Sequence, residues 1–106
     1  MAWAVSFHPD LADEFVTLSS VVQVSLLAHV ELIGQFGPTL GRPTVDMLKG
    51  SVIANLKELR FVAGGGVWRV VFAFDGQRIG VLLAAGDKQG KDQGRFYRAL
   101  IGLAER

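Results

Sequence analysis

The stretch GVWRVVFAFDGQRIGVLLAAGDK, residues 66–88, decides the fold. It holds two runs rich in β-branched and aromatic residues, which is typical of strands, and Asp75-Gly76 lies between them. Asp-Gly at such a place indicates a two-residue turn, because the central residues of that turn need positive φ. The turn predicts a hairpin in which Trp68, Val70, Phe72 and Phe74 face Leu83, Val81, Ile79 and Gln77. One side of the hairpin is therefore aromatic and must be buried.

Arg69 lies in the middle of the first predicted strand, on the side opposite to those aromatic residues. A charged group that is buried without a partner costs several kcal/mol, a large part of the stability of a small domain. Two interpretations are open at this point. Either Arg69 is paired within the protein, or its side of the sheet is open and the charge meets a ligand.

Length and composition predict a soluble globular protein. A chain of 106 residues corresponds to one domain, 1–106, with one core, and half of its residues are apolar. The absence of cysteine excludes disulfides, thiolate metal sites and cysteine nucleophiles. The two histidines have no paired-ligand spacing, so we expect neither a metal nor another cofactor. No secretory signal and no apolar run of ~20 residues is present, so we expect a cytoplasmic protein without a membrane segment.

Charge is distributed unevenly along the chain. Residues 1–54 carry two basic and five acidic side chains, whereas residues 55–106 carry nine basic and five acidic ones. The net charges of the two halves are therefore −3 and +4. Such an asymmetry indicates an anionic partner for the basic half. The alternative is that these charges belong to ordinary solvated strand edges and helix surfaces.

The remaining elements follow from periodicity and punctuation. In order, we predict a strand at 2–7, a helix that His8-Pro9 starts, a helix at 21–36 after an N-cap at Ser19-Ser20, an irregular segment at 37–51, a strand at 55–61 and the hairpin. A closing helix follows residue 92, with an apolar stripe formed by Phe96, Ala99, Leu100 and Leu103. This order predicts an α+β fold with an antiparallel meander of about four strands, an N-terminal helical hairpin and a C-terminal helix. The first strand should join at one edge. The helices should cover one face of the sheet and leave the other partly open.

A glycine-rich segment after the hairpin has part of the pattern of a nucleotide-binding loop. Gly86 and Gly90-Lys91 lie between an apolar strand and a helix, where a phosphate-binding P-loop would lie. That motif has four residues between its glycines and Ser or Thr after the lysine. Here three residues separate the glycines and Asp92 follows, and a meander lacks the parallel βαβ setting. A nucleoside triphosphate site is therefore disfavoured.

A group of cations remains, consisting of Arg60, Arg69, Lys88, Lys57 and Lys91. Converging guanidinium and ammonium groups suit a phosphodiester, whose negative charge increases when a ribose 2′-hydroxyl attacks it. Tyr97, the only tyrosine, could stack a base or donate a proton. The alternative is that Arg60 pairs with Glu58 or with a helix carboxylate, while Tyr97 belongs to the core.

Three motifs in order, LKELR at 56–60, WRVVF at 68–72 and GDK at 86–88, precede the closing helix. This pattern resembles the RelE/ParE toxin superfamily, and within it the phage-derived HigB-like branch. The resemblance implies a RelE-like fold and a metal-independent mRNA interferase, a ribosome-dependent endoribonuclease of a type II toxin–antitoxin system. It also implies a small helix-turn-helix antitoxin as partner, besides the ribosome and mRNA. Whether the protein forms a homodimer stays open.

Site residues are carried over from the resemblance by position. Arg69 matches the strand arginine that stabilises phosphate, Arg60 the basic residue that ends the preceding strand, and Lys88 the basic residue after the last strand. Tyr97 completes the catalytic set as acid or stacking platform. Further RNA contacts are expected from Lys57, Arg78, Lys91 and Arg95. The alternatives are a ParE-like toxin that inhibits DNA gyrase without cutting RNA, and an interaction module that has lost its activity.

Overall fold

The five-stranded sheet has the order β1-β5-β4-β3-β2. The computed structural model describes residues 3–106, so the part of the first predicted strand at residue 2 lies outside it. The elements are β1 Ala4–Phe7, α1 Pro9–Phe15, α2 Ser20–Phe36, a 3-10 turn Gly37–Thr39, β2 Val45–Met47, β3 Lys57–Ala63, β4 Gly66–Phe74, β5 Ile79–Asp87 and α3 Gln93–Ala104. The predicted α+β class and the β3-β4-β5 meander are confirmed. No helix within residues 3–106 is long and apolar enough to cross a bilayer.

The strand count differs from the prediction of about four because the segment 37–51 is not wholly irregular. Residues 45–47 form β2, which pairs antiparallel with β3. At the opposite edge, β1 pairs parallel with the first half of β5, from Ile79 to Leu82. A strand of three residues, one of them charged, is too short to show an alternating pattern that could identify it from the sequence. The sheet is therefore mixed, with one parallel pair among four.

Both N-terminal helices begin at the capping residues that the sequence indicates. Pro9 is the first residue of α1, and the ring Nδ1 of His8 accepts a hydrogen bond from the Asp10 N–H at 3.1 Å. Ser19 caps α2, and its hydroxyl accepts from the Val22 N–H at 3.4 Å. The two helices pack on one face of the sheet. Their buried side chains there include Leu11, Val22, Leu26 and Ile33.

The β4–β5 hairpin forms, but the predicted two-residue turn is wrong. Phe74 pairs with Gly80 and not with Gln77, and four residues, 75–78, separate the end of β4 from the start of β5. The Asp75 carboxylate accepts hydrogen bonds from the N–H groups of Gln77 and Ile79, at 2.8 and 3.0 Å. An aspartate side chain that accepts a hydrogen bond from the backbone N–H two residues later stabilises such a turn. The positive φ falls on Arg78, at 62°, rather than on the Asp-Gly pair.

A β-bulge changes which side chains of β5 face each side of the sheet. Val71 pairs with Ala84 whereas Phe72 pairs with Leu82, so Leu83 is an additional residue in β5. Leu82 therefore packs beneath α1 and α2, where it is fully buried. The predicted pairing had placed Leu82 on the side of Arg69. The aromatic face of β4, by contrast, is buried under the helices as predicted.

The C-terminal helix α3 packs on the second face of the sheet, which corrects the prediction that all helices cover one face. A second core forms there from Leu56, Val71, Ala84, Phe96, Leu100 and Ala104. This face stays open over β3, where the Val62 side chain is 73% exposed. The predicted apolar stripe of α3 is correct at Phe96 and Leu100. Ala99 and Leu103 are exposed instead, and Ile101 and Ala104 are buried.

Glu105 joins the end of α3 to the loop that precedes β3. Its Oε2 accepts hydrogen bonds from the Ser51 hydroxyl at 2.6 Å and from the Val52 N–H at 3.0 Å. These two bonds favour the charged carboxylate and lower its pKa below the ordinary value. A lowered folded-state pKa means that the contact stabilises the fold above the unfolded-state pKa. That contribution is lost as the pH falls through the folded-state pKa.

We expect Glu105→Gln to lower the melting temperature near neutral pH, with the difference from the wild type shrinking as the buffer becomes acidic. The reason is that protonation removes the same contact from the wild type. Thermal unfolding followed by circular dichroism over a pH series measures this. Glu31→Gln, an exposed glutamate of α2, is the matched control. A difference between wild type and Glu105→Gln that stays constant with pH would contradict the assignment.

Gly37 ends α2 in a conformation reserved for glycine, with φ of 56° and ψ of −142°. The indole of Trp3 occupies the space in which a Cβ atom would lie. We expect Gly37→Ala to destabilise the protein by about 2 kcal/mol or more, from backbone strain and overpacking. Gly41→Ala is the control, because nothing lies within 4 Å of a Cβ atom there. Chemical denaturation of the two variants should separate them; equal midpoints would refute the close approach.

Candidate functional site

Arg60 and Arg69 are direct neighbours across β3 and β4. Residues in such a pair have Cβ atoms ~5 Å apart, and like charges placed there repel each other. Both side chains lie on the face that α3 covers only in part, and both are partly exposed. Two guanidinium groups at this spacing form a concentrated positive site. Their neighbours must offset the repulsion.

Glu58 supplies the compensating negative charge. Its Oε1 accepts from the Nε of Arg60 at 2.8 Å and lies 2.7 Å from the Nη2 of Arg60. The hydrogen bond that Arg60 donates to Glu58 raises the pKa of Arg60, which stays charged. Asp46 of β2 adds a weaker contact at 3.6 Å. The alternative that Arg60 pairs with Glu58 is thus correct, although about a third of the Arg60 side chain remains exposed.

The carboxylate of Glu58 is unusual because the residue is only 2% exposed. Its second oxygen, Oε2, is buried and has no hydrogen-bond partner among residues 3–106. A carboxylate that is half-satisfied at a buried position is costly, and natural proteins keep few of them. Such groups are more frequent at functional sites than elsewhere. The group therefore marks this part of the sheet as a candidate site.

Tyr97 of α3 lies over Arg69 and closes one side of the site. The Nε of Arg69 donates to the Tyr97 hydroxyl at 3.3 Å, and its Nη1 donates to the Trp68 carbonyl at 2.9 Å. Burial raises the pKa of the Tyr97 hydroxyl, and the neighbouring Glu58 raises it further, while Arg69 acts in the opposite direction. The hydroxyl consequently stays protonated at neutral pH. Tyr97 is half-buried, since its ring also packs against the second core.

Lys88 lies on the other side of the Tyr97 ring, with its Nζ 5.8 Å from the ring centroid. This distance is within the range of cation–π interactions. Its backbone N–H donates to the Val67 carbonyl at 2.7 Å, which extends the β4–β5 pairing and holds the residue at the end of the sheet. The structure thus brings together all four residues of the predicted catalytic set. We call them, with Glu58, the arginine cluster: Glu58, Arg60, Arg69, Lys88 and Tyr97.

The four residues predicted to bind RNA have different positions. Lys91 and Arg95 lie beside the N-terminal part of α3, where they line a hollow with Asp92, Phe96 and Ala99. Lys57 points to the other face, where its Nζ donates to the Pro38 carbonyl at 3.4 Å and lies 5.6 Å from the Phe74 ring. Arg78 packs over the Trp3 ring at 4.8 Å, at the turn end of the hairpin. The geometry therefore separates the four: Lys91 and Arg95 border α3, Lys57 lies on the opposite face of the sheet, and Arg78 lies at the turn end of the hairpin.

Two acidic members of the site were missed as functional residues in the sequence. Glu58 and Arg60 are two residues apart on one strand, so their common face could have been recognised from the period of a strand. Asp46 could not have been found, because β2 was not predicted. Its carboxylate accepts from the Nε of Arg42 at 3.1 Å, and this bond lowers the pKa of Asp46. Asp46 thereby contacts both Arg42 and Arg60.

The arginine cluster can bind an oxyanion and donate a proton to it. Arg60 and Arg69 are permanently charged donors suited to phosphate oxygens. Tyr97 supplies a protonated hydroxyl between Arg69 and the ammonium group of Lys88. Within residues 3–106, no group of three or more histidine, cysteine, aspartate or glutamate side chains is placed to hold a metal ion. The chemistry that these residues offer is charge stabilisation of an oxyanion and donation of a proton.

Comparisons with known proteins agree with the fold and the motifs. The chain matches the family described as phage derived protein Gp49-like (DUF891) over residues 13–106. A relative from Mycobacterium tuberculosis that carries a toxin name, HigB3, is 39% identical over 102 residues, covering 96% of this chain and 87% of that protein. HigB2 from the same organism is 43% identical over 67 residues, which cover 62% of this chain and 33% of HigB2.

Two solved structures share the fold. One is an archaeal RelE–RelB complex from Pyrococcus horikoshii OT3, with a TM-score of 0.64 and 16% identity over 86% of this chain and all of the matched one. The other is the E. coli toxin RelE, a double mutant in the free state, with a TM-score of 0.64 and 14% identity over 96% of both chains. Together with the sequence relatives, they define the class as RelE-type toxins of type II toxin–antitoxin systems. The chain belongs to the phage-derived Gp49-like family, the HigB-like branch of that superfamily.

The pKa of Tyr97 offers a direct test of the cluster, because the chain has no other tyrosine. Glu58→Gln should lower this pKa toward the ordinary value, since Glu58 raises it. Arg69→Ala should raise it, since Arg69 lowers it. Tyrosinate absorbance during an alkaline titration reports both shifts, with circular dichroism to confirm that each variant stays folded. Shifts in the same direction in both variants would contradict the contacts described.

Proposed function

We propose that the protein is a ribosome-dependent mRNA endoribonuclease, the toxin of a pair in which a small helix-turn-helix antitoxin inhibits it. The observation that carries the proposal is the cross-strand pair Arg60–Arg69 beneath the protonated hydroxyl of Tyr97. A binding protein without catalysis does not need a proton donor bonded to one of two paired guanidinium groups. Membership of the HigB-like branch supports the same conclusion.

The reaction supported by these residues is an internal transesterification of RNA. The ribose 2′-hydroxyl attacks the adjacent phosphorus and releases its proton to solvent water, the bond to the 5′-oxygen breaks, and the products are a 2′,3′-cyclic phosphate and a 5′-hydroxyl. Arg69 and Arg60 stabilise the additional negative charge on the phosphate oxygens in the transition state. Tyr97 gives its proton to the departing 5′-oxygen. Lys88, beside the Tyr97 ring, assists that proton transfer and replaces the proton from solvent.

Glu58 has a positioning role in this scheme. It is buried and bonded to Arg60, so it cannot approach the substrate without a rearrangement of that ion pair. Its charge holds the Arg60 guanidinium beside Arg69 and keeps the Tyr97 hydroxyl protonated. Both effects prepare the site before RNA arrives. Preorganised charge of this kind usually makes the largest contribution to the catalysis of such a step.

The antitoxin proposal is supported by the net charge of residues 55–106 and by the structural similarity to a known complex. One of the two solved neighbours is a RelE–RelB complex, so a toxin of this fold assembles with a second protein there. In the present chain, residues 55–106 have a net charge of +4. An antitoxin segment with acidic side chains, placed over the arginine cluster, would neutralise that charge and exclude RNA. We place the ribosome, its mRNA and the antitoxin together in the cytoplasm.

Arg69→Ala should lower the rate of mRNA cleavage in a translating extract by about a hundredfold or more, since one lost transition-state contact costs ~3 kcal/mol. It should also relieve the growth defect caused by expression of the toxin without its antitoxin. Primer extension on the extracted mRNA locates the cuts. Arg98→Ala is the matched control, because Arg98 is an exposed arginine of α3 that takes no part in the cluster. It should cut and inhibit growth as the wild type does.

Two results would contradict the nuclease proposal. One is full toxicity of a folded Arg69→Ala variant. The other is intact mRNA in an extract that contains the wild-type protein, together with inhibited supercoiling by DNA gyrase, as expected of a ParE-like toxin. Co-purification with the product of the neighbouring reading frame tests the antitoxin separately, and Arg69→Ala should retain it, since Arg60 and Lys88 of the cluster remain.

A further inference from the structure

A groove of about 370 Å³ lies beside the C-terminal half of β5, on the other side of α3 from the arginine cluster. Its volume is within the range of small-ligand sites, ~300–1,000 Å³. Trp68, Phe96, Leu100, Ala99 and Leu103 supply its apolar walls. Ala99 and Leu103 are the two residues of the predicted apolar stripe of α3 that the fold leaves exposed. The groove explains why apolar residues occupy that side of the helix.

The groove opens beside the part of β5 that has no neighbouring strand on its outer side. The pairing of β1 with β5 ends at Leu82, so no strand lies beside Ala85. Because the Lys88 N–H bonds to the Val67 carbonyl, the alternation of the antiparallel ladder turns the N–H and C=O of Ala85 away from β4. Ala85 lines the groove, and so do the carboxylates of Asp87 and Glu14. The groove thus combines a hydrogen-bond donor, several acceptors and an aromatic wall.

One end of the groove carries the cations Lys91 and Arg95 beside the Asp92 carboxylate. A second hollow of about 350 Å³ shares Lys91, Phe96 and Ala99 with the groove and adds Arg95. Gly86 lines the groove and is the strand partner of Arg69, while Phe96 is the chain neighbour of Tyr97. The turn 88–91 carries Lys88 toward the cluster and Lys91 toward the groove. A single-stranded RNA held at Arg69 can therefore continue over this turn.

We infer that the groove binds a nucleobase of the RNA next to the scissile phosphate, with the phosphate of that nucleotide at Lys91. This inference rests on the proposed function for the identity of the strand, but the base site itself is a binding property. Stacking against the partly exposed Trp68 ring is open to every base. The acceptors Asp87, Glu14 and the Ala85 carbonyl select bases with an exocyclic amino group. Adenine, cytosine and guanine should therefore bind better than uracil.

Binding is tested with short single-base oligonucleotides that carry 2′-O-methyl groups and so cannot be cut. The Trp3→Phe background leaves Trp68 as the only tryptophan, and its fluorescence reports occupancy of the groove. We expect quenching by the adenine, cytosine and guanine oligomers and a weaker response to the uracil oligomer. Ala99→Phe, which fills the groove, should weaken binding by on the order of tenfold or more, the usual effect of one lost stacked base.

The control is Ala28→Phe, the same change at an exposed position of α2. It should bind as the parent protein does. An oligomer with one abasic position gives the same information without a variant of the groove. Its affinity should fall by a similar factor. Equal binding by Ala99→Phe and Ala28→Phe, with no effect of the abasic position, would overturn the base site. Absence of quenching by any oligomer would overturn it as well.

The same measurements separate this inference from the proposed function. If the oligomers bind in the groove while mRNA in the translating extract stays intact, the base site stands and the nuclease proposal fails. If mRNA is cut but Ala99→Phe changes neither oligomer affinity nor the bases preferred around the cut, the nuclease proposal stands and the base site fails. Quenching of Trp68 by the purified antitoxin and not by RNA would make the groove a protein interface and overturn the inference.

Discussion

The pairing of β3 with β4 is the constraint on which the rest of this molecule depends. It runs without a bulge from Lys57–Phe72 to Ala63–Gly66 and places Arg60 directly opposite Arg69. Backbone hydrogen bonds fix this register, and a slip of either strand by one residue would turn its own guanidinium group to the aromatic face. The sheet therefore holds two like charges together by means of interactions that do not involve them. No local interaction between the two side chains could do so.

The same pairing buries Glu58, and the energies involved are consistent with a functional site. Removal of a carboxylate from water costs several kcal/mol, and one ion pair with a partly exposed arginine offsets only part of it. An apolar residue at this position would pack as well without that cost. The gain lies in electrostatics, because the buried charge holds Arg60 in place and raises the pKa of Tyr97. The buried Glu58 therefore lowers the stability of the fold, and in return it preorganises the charges of the site.

Helix α3 divides the second face of the sheet into two regions of different chemistry. Phe96 and Leu100 anchor it over β5, and Glu105 ties its end to the loop before β3. Tyr97 then points toward the arginines, while Ala99 and Leu103 border the groove. Each region uses one side of the same helix. A change in the seating of α3 would therefore alter the proton donor and the groove together.

Much of this architecture follows from local sequence. The capping residues at His8 and Ser19, the apolar periodicity of α2 and the strand alternation around Trp68 depend on neighbouring residues only, and each was predictable. The cationic positions Arg60, Arg69 and Lys88 were also identified from sequence, because strand period and motif spacing place them. Glu58 was visible beside Arg60, but its burial was not.

Only the tertiary structure decided the features that depend on distant segments. The turn at 75–78 was lengthened by the Asp75 carboxylate, and the bulge at Leu83 changed the sides of β5, so the predicted register failed. The strand at 45–47 exists because β3 offers it an edge, and the second face is covered because α3 returns across it. Local sequence determines which segments are helix or strand and which side chains carry charge. Which of those charges meet, and which become buried, is set by long-range packing, whose free energy no short segment of this chain possesses by itself.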